Sequence, residues 1–466
     1  MMNTNRTDYL WNPVFTRVME IKDAYERRFG ELRYNDYAVD GLWERMIKLL
    51  NVPEYTEWAQ TLKVTQNGSR ILLHYDLIAS AADMWANPLT SINVEARSIY
   101  IDLKTEKIVL CPMPKFFNVG EVDENSWDKV FARIDKAKNI ELTNKMDGSN
   151  QNATYYEPKG LPGKGNEGDS VQPNSYRGKD WGEYVLTGST ACDPDNSWRI
   201  VEGYKFLNTP GYRQMLKDNP GKTFCFELIH PDDVHVVSYA PEQMGLYLIR
   251  LRDNKTGIMS SYKEAREIAA KYPGVLTVQA EPFTKADLDS GLASMRSSYK
   301  ADEKEGCVLD IDGYMIKVKC DDYLKVHSLF GAKSATKVLI QAISDGNADD
   351  IIASLDDINK AKIMPVYDSI KDAVAKKYKA VDDYYASCPV TDSQKDFAIY
   401  VNKTVPKEYR GYMFAMRSGK EVNLLKSASG RYATAEDFGI ADVKLRIGSA
   451  QNSNRDAEND EPEIDE

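Results

Sequence analysis

The pattern of apolar residues changes period near residue 320, and that change constrains this chain more than any other feature. Upstream, RILLHYDLI, INVEARSIYIDL, KIVLCPM, IELTNKMDGS, TFCFELI, VHVVSY, LYLIRLRD and YMIKVK are short, rich in β-branched and aromatic residues, and separated by turns. That is how antiparallel strands are written. Downstream, ATKVLIQAIS stops before Gly346, and Ile363, Tyr367, Ile370, Val374, Tyr378, Val381 and Tyr385 recur at three- and four-residue intervals, which puts them on the core face of a helix. Residues 12–50 also read helical, with Pro13 near the start of the first helix and VDGLWERMIKLL as a second. The expected class is therefore α+β, an antiparallel-sheet domain followed by an all-helical C-terminal domain. The expected divisions are a helical N-terminal extension at 1–65, the sheet domain at 66–330, the helical domain at 331–440 and a disordered acidic tail at 441–466. Residues 156–183, crowded with Gly, Pro and polar side chains, read as a long surface loop.

Composition removes several function classes. No run of eighteen apolar residues exists, and MMNTNRTDYLWNPVF lacks a basic stretch ahead of an apolar one; the expectation is a soluble, cytoplasmic protein with no membrane partner. The net charge is −11, but the last twelve residues hold seven acids against one arginine. The rest of the chain is thus close to balanced, and a local basic cleft is compatible with it. Six cysteines without a C-x-x-C pair read as reduced thiols, and four dispersed histidines give no spaced metal motif.

The chemistry concentrates in four places. Lys145-Met146-Asp147-Gly148-Ser149 follows an alternating strand; Glu227 ends Phe224-Cys225-Phe226-Glu227; Glu305-Gly306-Cys307-Val308 opens another strand; and Lys317-Val318-Lys319 puts two lysines on one strand face. Taken singly, a K-x-D-G is cheap and a lone Glu or Lys is a solvated charge. In order, they supply a lysine nucleophile, neighbouring cations that favour its deprotonation and neutralise a crowded phosphorus, and carboxylates that can position a ribose hydroxyl or a hydrated metal.

The order K-x-D-G-S, F-x-F-E, E-G-x-V, K-x-K resembles the covalent nucleotidyltransferase superfamily of polynucleotide ligases and RNA-capping enzymes. Arg97, the run Pro112-Met113-Pro114-Lys115-Phe116-Phe117-Asn118, and the stretch from Tyr314 through His327-Ser328 to Asp345-Gly346-Asn347-Ala348-Asp349-Asp350 narrow this. Over roughly residues 70–350 the chain resembles the RNA ligase 1 family of T-even-type bacteriophages. The resemblance implies that 66–330 is an adenylyltransferase domain, and that ATP and Mg2+ are the cofactors. Lys145, Lys317 and Lys319 would be catalytic; Tyr75, Arg97, Lys115, Phe117, Gly148, Glu227, Glu305 and Val308 would bind ATP; and Asp147, Glu305, Asp349 and Asp350 would serve the metal. It further implies a monomer that seals 5′-phosphate and 3′-hydroxyl RNA ends, tRNA among them, in RNA repair, within a host cytoplasm if the source is viral. The alternatives are a non-catalytic RNA-binding or virion-assembly protein that inherited the fold, and a DNA ligase of the same superfamily; the latter normally continues from K-x-K into a β-rich OB domain, whereas this chain turns helical.

Three departures from the family pattern stand out. Thr187-Gly188-Ser189 occurs where the family carries K-G-S, Ser98 stands where a glycine commonly follows the arginine, and the 156–183 segment looks inserted. Lys179 or Arg177 is the nearest cation by sequence to stand in for the missing lysine. In the helical domain, Lys371, Lys376, Lys377 and Lys379 interleaved with Tyr367, Tyr378 and Tyr385 suit phosphate contact and base stacking, or a solvated helix face.

Overall fold

The structure, a computed structural model, describes the chain apart from residues 1–5, 33, 35–40, 68, 77–83, 156–174, 177–178, 181–183, 190–196, 234, 332–333, 347, 354, 356, 392, 421, 428–429 and 446–466. The first helix, α1 (Pro13–Phe29), is fixed at both ends by its own residues. The Asn12 side chain accepts from the Phe15 N–H, Pro13 opens the first turn, and Gly30, at φ 87°, donates to the Glu26 carbonyl. With α2 (Leu42–Leu50) and α3 (Pro53–Ala59) it lays Phe15, Met19, Trp43 and Trp58 on an antiparallel sheet. That sheet runs β1 (Leu62–Asn67), β2 (Arg70–Tyr75), β3 (Arg97–Asp102), β4 (Lys107–Leu110). The N-terminal helices and this sheet share one apolar core.

Two further sheets hold the site. One is built from β5 (Phe117–Asn118), β6 (Ile140–Lys145), β14 (Gly306–Ile311) and β15 (Tyr314–Lys319) in the order β5-β15-β14-β6; the other from β7 (Ser149–Tyr155), β10 (Tyr184–Thr187), β11 (Lys222–Ile229), β12 (Gly245–Asp253) and β13 (Leu276–Thr277) in the order β10-β7-β11-β12-β13. The pairings are antiparallel except for two short edge pairs, β12 with β13 and β15 with β5. Helices α4 (Trp127–Lys136) and α8 (Leu288–Ser298) pack on the first through Val130, Ile134, Leu288 and Leu292. Helices α5 (Trp198–Leu207), α6 (Pro210–Asp218) and α7 (Tyr262–Ala269) pack on the second through Ile200, Tyr204, Leu216 and Ala265. A separate cluster that includes Met113, Phe116, Cys225, Tyr262, Val308 and Met315 joins residues of both sheets.

From Asp321 onward the named elements are all helices: α9 (Asp321–Gly331), α10 (Ala335–Ser344), α11 (Ala348–Ala353), α12 (Asp357–Ala386), α13 (Gln394–Thr404), α14 (Lys407–Arg417) and α15 (Ala435–Phe438), with an isolated antiparallel bridge between Lys426 and Tyr432 in the segment before α15. The apolar stripe on α12 is a core face, as its spacing requires, but it serves two cores. Ile363, Tyr367 and Ile370 pack with α9 to α11, whereas Val381, with Tyr378 and Tyr385, packs with Phe397, Val401 and Met413. No helix among the described residues is long and apolar enough to cross a membrane.

Two expected strands are otherwise. The first half of INVEARSIYIDL is a single-turn helix at Ser91–Glu95, because Asn93 is buried, accepts from the Trp58 indole N–H at 2.8 Å and donates to the Thr61 hydroxyl at 2.8 Å. VHVVSY forms no strand over 235–239; its backbone is claimed by Asp147, whose carboxylate accepts the Val237 N–H at 3.0 Å. The 156–183 loop lies outside the described residues except for a two-residue ladder between β8 (Ser175–Tyr176) and β9 (Lys179–Asp180). The tail lies outside them from 446 onward.

Candidate active site

Lys145 is the last residue of β6 and Ser149 the first of β7, so Met146-Asp147-Gly148 is the crossover by which the chain leaves one sheet for the other. Each residue of that crossover is fixed. Gly148 passes so close to β11 that a Cβ would sit 2.4 Å from the Leu228 carbonyl oxygen, and its N–H donates to Glu227 Oε1 at 3.1 Å. Only glycine leaves that room. Asp147 is buried; its N–H donates to the Tyr239 hydroxyl at 2.7 Å, and its carboxylate accepts from the Val237 N–H and, at 2.9 Å, from the Tyr323 hydroxyl. Burial pushes this carboxyl up from its ordinary value, opposed by His235. The Asp147 side chain is thereby an anchor that ties the crossover to the 235–239 segment and to α9.

Sheet register sets the lysines. Lys145 and Lys319 are both cross-strand partners of Gly306, one on each side, and partners across a ladder project from the same face. Glu305, the residue before that glycine, is fully buried and reaches both ammonium groups: Lys145 Nζ to Oε2 at 2.7 Å and Lys319 Nζ to Oε1 at 3.1 Å. The expectation that Lys319 acts on Lys145 simply as a neighbouring cation thus meets a carboxylate placed between the two. Lys317, two residues back on β15, is buried with its Nζ 5.2 Å from the centre of the Phe116 ring, and the Arg97 guanidinium stands 5.5 Å from the same ring.

These residues line a slot of about 40 Å3 beside Lys145, walled by Met113, Phe116, Met146, Ile249 and Val308, with Arg97, Glu227 and Lys317 at its polar edge. A volume of that size holds a water rather than a ring, so a flat aromatic base would have to part the Met146 and Phe116 side chains. A second cavity, of about 480 Å3, shares Asn144, Lys145 and Met146 with the slot and is otherwise mainly polar, with Gln243, Gln279, Thr277 and Tyr247 among its lining beside the apolar Val237, Val275 and Leu276.

Tyr75, Lys115 and Phe117 gather next to the slot residues Arg97 and Phe116, around a residue the sequence did not single out. Trp85 packs edge-on against Tyr75 at 5.2 Å and against Phe117 at 5.4 Å. Lys115 Nζ, buried, stands 5.2 Å from the Trp85 and Phe117 ring centres and 5.7 Å from that of Tyr75, with Glu121 at 3.5 Å. Tyr75 stacks on His74 at 4.6 Å. Burial, with Arg97 beside it, pushes His74 down to about 3, so the ring is neutral. Ser98 takes the left-handed conformation, φ 67°, that the family's glycine would adopt without strain; its hydroxyl donates to the Ser189 carbonyl at 2.5 Å and meets His74 Nδ1 at 3.2 Å. The departure at Ser98 is therefore in direct contact with the backbone of Ser189, two residues after the departure at Thr187. The side chains of Lys179 and Arg177 lie outside the described residues.

Of the four carboxylates expected to serve a metal, the three whose side chains are described each have protein partners. The Asp147 carboxylate is occupied by two protein donors, the Val237 N–H and the Tyr323 hydroxyl, and Glu305 by two lysines, while Asp349, on α11, is exposed and accepts from the Tyr367 hydroxyl at 2.7 Å; the side chain of Asp350 lies outside the described residues. Among those residues no group of three or more His, Cys, Asp or Glu side chains is placed to hold an ion. Phe116, Trp85, Met146 and Ile249 are the site residues that sequence reasoning passed over. Phe116 lay inside a motif already quoted, whereas Trp85 has no periodic or spacing signal.

A family model described as RNA ligase, of the T4 RNA ligase 1 type, matches residues 95–153 and 212–323. Among solved structures, an archaeal ATP-dependent RNA ligase is similar at 13% identity and a TM-score of 0.40, covering 84% of this chain and 93% of its own. A Naegleria gruberi RNA ligase variant with ATP and Mn is similar at 16% identity and a TM-score of 0.29, covering 44% of this chain and 58% of its own. The two segments matched by the family model hold Lys145, Glu227, Glu305, Lys317 and Lys319, and over them this chain matches the RNA ligase 1 family.

Proposed function

We propose that the chain is an ATP-dependent RNA ligase that works through a covalent lysyl-AMP on Lys145. The observation that carries this reading is the row Lys145, Gly306, Lys319 across β6, β14 and β15, with Glu305 bridging the two lysines next to an apolar slot edged by Arg97, Glu227 and Lys317. A lysine attacks phosphorus only as the free amine, and Glu305 Oε2 at 2.7 Å is within reach of its proton. The Lys145 nitrogen then bonds to the α-phosphorus as the bond to pyrophosphate breaks. In the second step an oxygen of an RNA 5′-phosphate takes the AMP, the phosphorus–nitrogen bond breaks, and Nζ regains a proton. In the third, a 3′-hydroxyl oxygen bonds to the 5′-phosphorus, AMP leaves, and the hydroxyl proton passes to solvent.

In this reading the base enters between Phe116, Met146, Ile249 and Val308, and Glu227, held by the Gly148 N–H, meets the ribose. Lys317, Lys319 and Arg97 counter phosphate charge, and Tyr75, Lys115 and Phe117 form the neighbouring wall. A divalent ion, Mg2+ in the resemblance, is proposed only as a companion of the triphosphate, since Asp147 and Glu305 are already engaged; no step is derived through it. The division at 66–330 and 331–440, with RNA choice assigned to the helical part, belongs to the same proposal, as do tRNA repair, a monomeric state and a cytoplasmic site of action. Of residues 1–65, the last four belong to β1, and the helices before them would be an arm packed on the first sheet, given the core they share with it.

The test is intact mass after incubation with ATP and Mg2+. The chain should gain one AMP in a linkage labile to acid and stable to alkali, and Lys145→Ala should gain none. An adduct that survives Lys145→Ala refutes the assignment.

A further inference from the structure

The larger cavity beside Lys145 is distinct from the slot assigned to the adenine base and is reached by the same lysine. At about 480 Å3 it is within the range of small-molecule sites, about 300–1,000 Å3, whereas the neighbouring slot has about 40 Å3. Its lining is mainly polar and its charges balance, Lys145 and Lys304 against Glu303 and Glu305. Lys304 is moreover spent on Glu281 at 2.6 Å. A pyrophosphate or a 5′-phosphate dianion would meet two carboxylates there without an excess of cations, so a densely charged ligand is disfavoured. Neutral hydroxyls and a base edge suit the same groups: carboxylates accept from ribose hydroxyls, and side-chain amides such as Gln243 and Gln279 pair with the edge of an unstacked base.

Building on the ligase reading above, we infer that this cavity receives the 3′-terminal ribonucleoside of the acceptor RNA strand, with its 2′,3′-diol toward the exposed Glu303, since Glu305 is engaged by Lys145 and Lys319. The position is consistent with the third step, since the attacking hydroxyl must stand beside the phosphate carried through Lys145, and Lys145 lines this cavity as well as the slot. Discrimination of RNA from DNA acceptors then follows from the 2′-hydroxyl, which is the atom that tells the two apart.

The experiment uses the full chain and two single variants, Gln243→Ala and Gln279→Ala. Both side chains are exposed at the cavity wall; Gln243 also caps its own turn by accepting from the Ala240 N–H and Gln279 donates to the Thr277 carbonyl at 3.0 Å, so urea unfolding of each variant is measured alongside to separate cavity contact from local folding. Each is assayed for sealing of a pre-adenylylated donor to an acceptor oligoribonucleotide, for the ATP dependence of Lys145 adduct formation, and for sealing to an acceptor ending in 2′-deoxyribose. The acceptor KM should rise about tenfold, the loss expected for one polar contact, and the preference for a ribose terminus should shrink. A raised ATP KM instead would make this the adenosine cavity and overturn the inference. Loss of AMP transfer to a 5′-phosphorylated donor would make it the donor site and overturn it equally, as would unchanged sealing. If the unmodified chain forms no adduct at all, the ligase reading fails separately, and fluorescence anisotropy of the acceptor oligonucleotide still decides the cavity: weaker binding in both variants supports it, equal binding refutes it.

Discussion

Glu305→Gln removes one charge from a buried group of three and leaves the shape almost unchanged, which makes its cost calculable. The carboxylate has no exposure, and the Lys145 and Lys319 side chains retain 11% and 4% of theirs. At an effective dielectric of 20, each contact near 3 Å is worth about 5–6 kcal/mol of Coulomb attraction, most of it offset by the desolvation of all three ions. Removing one partner of a buried pair typically costs about 3–5 kcal/mol; here two lysines lose their counter-charge, so the upper end applies. The glutamine carbonyl can still accept one hydrogen bond and return about 1 kcal/mol. The net expectation is a loss of about 4 kcal/mol in urea unfolding at unchanged m, together with loss of adduct formation by intact mass. The second variant makes the reasoning specific. Adding Lys319→Met to Glu305→Gln deletes the stranded charge and should restore about 2 kcal/mol, a coupling that independent sites would not show. A destabilisation below about 1 kcal/mol for Glu305→Gln, or strict additivity in the double variant, would mean that the three groups are not an ion cluster.

Three further outcomes follow from the same geometry. Lys317→Ala should slow Lys145 adduct formation at least a hundredfold, because a preorganised cation lost from a charged transition state costs about 2.7–4 kcal/mol; single-turnover mass kinetics that match the unmodified chain would reduce Lys317 to packing on Phe116. Ser98→Ala keeps a Cβ at φ 67° and deletes the hydroxyl that serves Ser189 and His74, so it should unfold about 1–3 kcal/mol more easily; Ser98→Gly loses the same bond but is relieved of about 1–2 kcal/mol of left-handed strain, and should melt above Ser98→Ala. His74 is neutral in the fold and pushed down to about 3, so below its ordinary value near 6.5 the unfolded chain binds the extra proton. Stability present above that pH is therefore lost as pH falls toward 3, by up to about 1.4 kcal/mol per unit. His74→Asn, which keeps an amide donor toward the Ser98 oxygen, should flatten that part of the profile; parallel urea profiles for the two proteins from pH 7 to pH 4 would refute it.

What the amino-acid pattern revealed depended on whether the relevant physics is local. Strand alternation around Lys145, Glu227 and Lys317 and the helical stripe from Ile363 to Tyr385 are one-dimensional signals, and both elements form where that spacing puts them. VHVVSY carries the same alternation and forms no strand, since the donor that a ladder would have used at Val237 goes to a carboxylate 90 positions away. The bridging position of Glu305 was likewise illegible: a motif places it before Gly306, but only the register of three strands reveals that both lysines converge on it.

Ser98 and Thr187-Gly188-Ser189 mark the boundary most sharply. Each could be seen as a departure from a family pattern, and separately each looked like a defect, one a glycine lost from a position that needs left-handed backbone and the other a phosphate-binding lysine gone. In the fold the serine side chain that makes the backbone costly is the one that holds the Ser189 carbonyl, and it does so beside His74, whose ring stacks on Tyr75. The strain at φ 67° and the hydrogen bond are of similar size, about 1–2 kcal/mol, so a serine at 98 can be held at little net cost while the chain just after Thr187 is pinned to β3. A lysine at that place would have contributed charge toward the phosphates; a pinned carbonyl contributes position to Tyr75 and Arg97 instead. The substitution Thr187→Lys puts a long side chain where the present one is fully buried. It should therefore lower stability by overpacking, about 1–3 kcal/mol, without improving the ATP KM. A tighter ATP KM in that variant would show that the missing charge, rather than the Ser98 contact, is what limits the site.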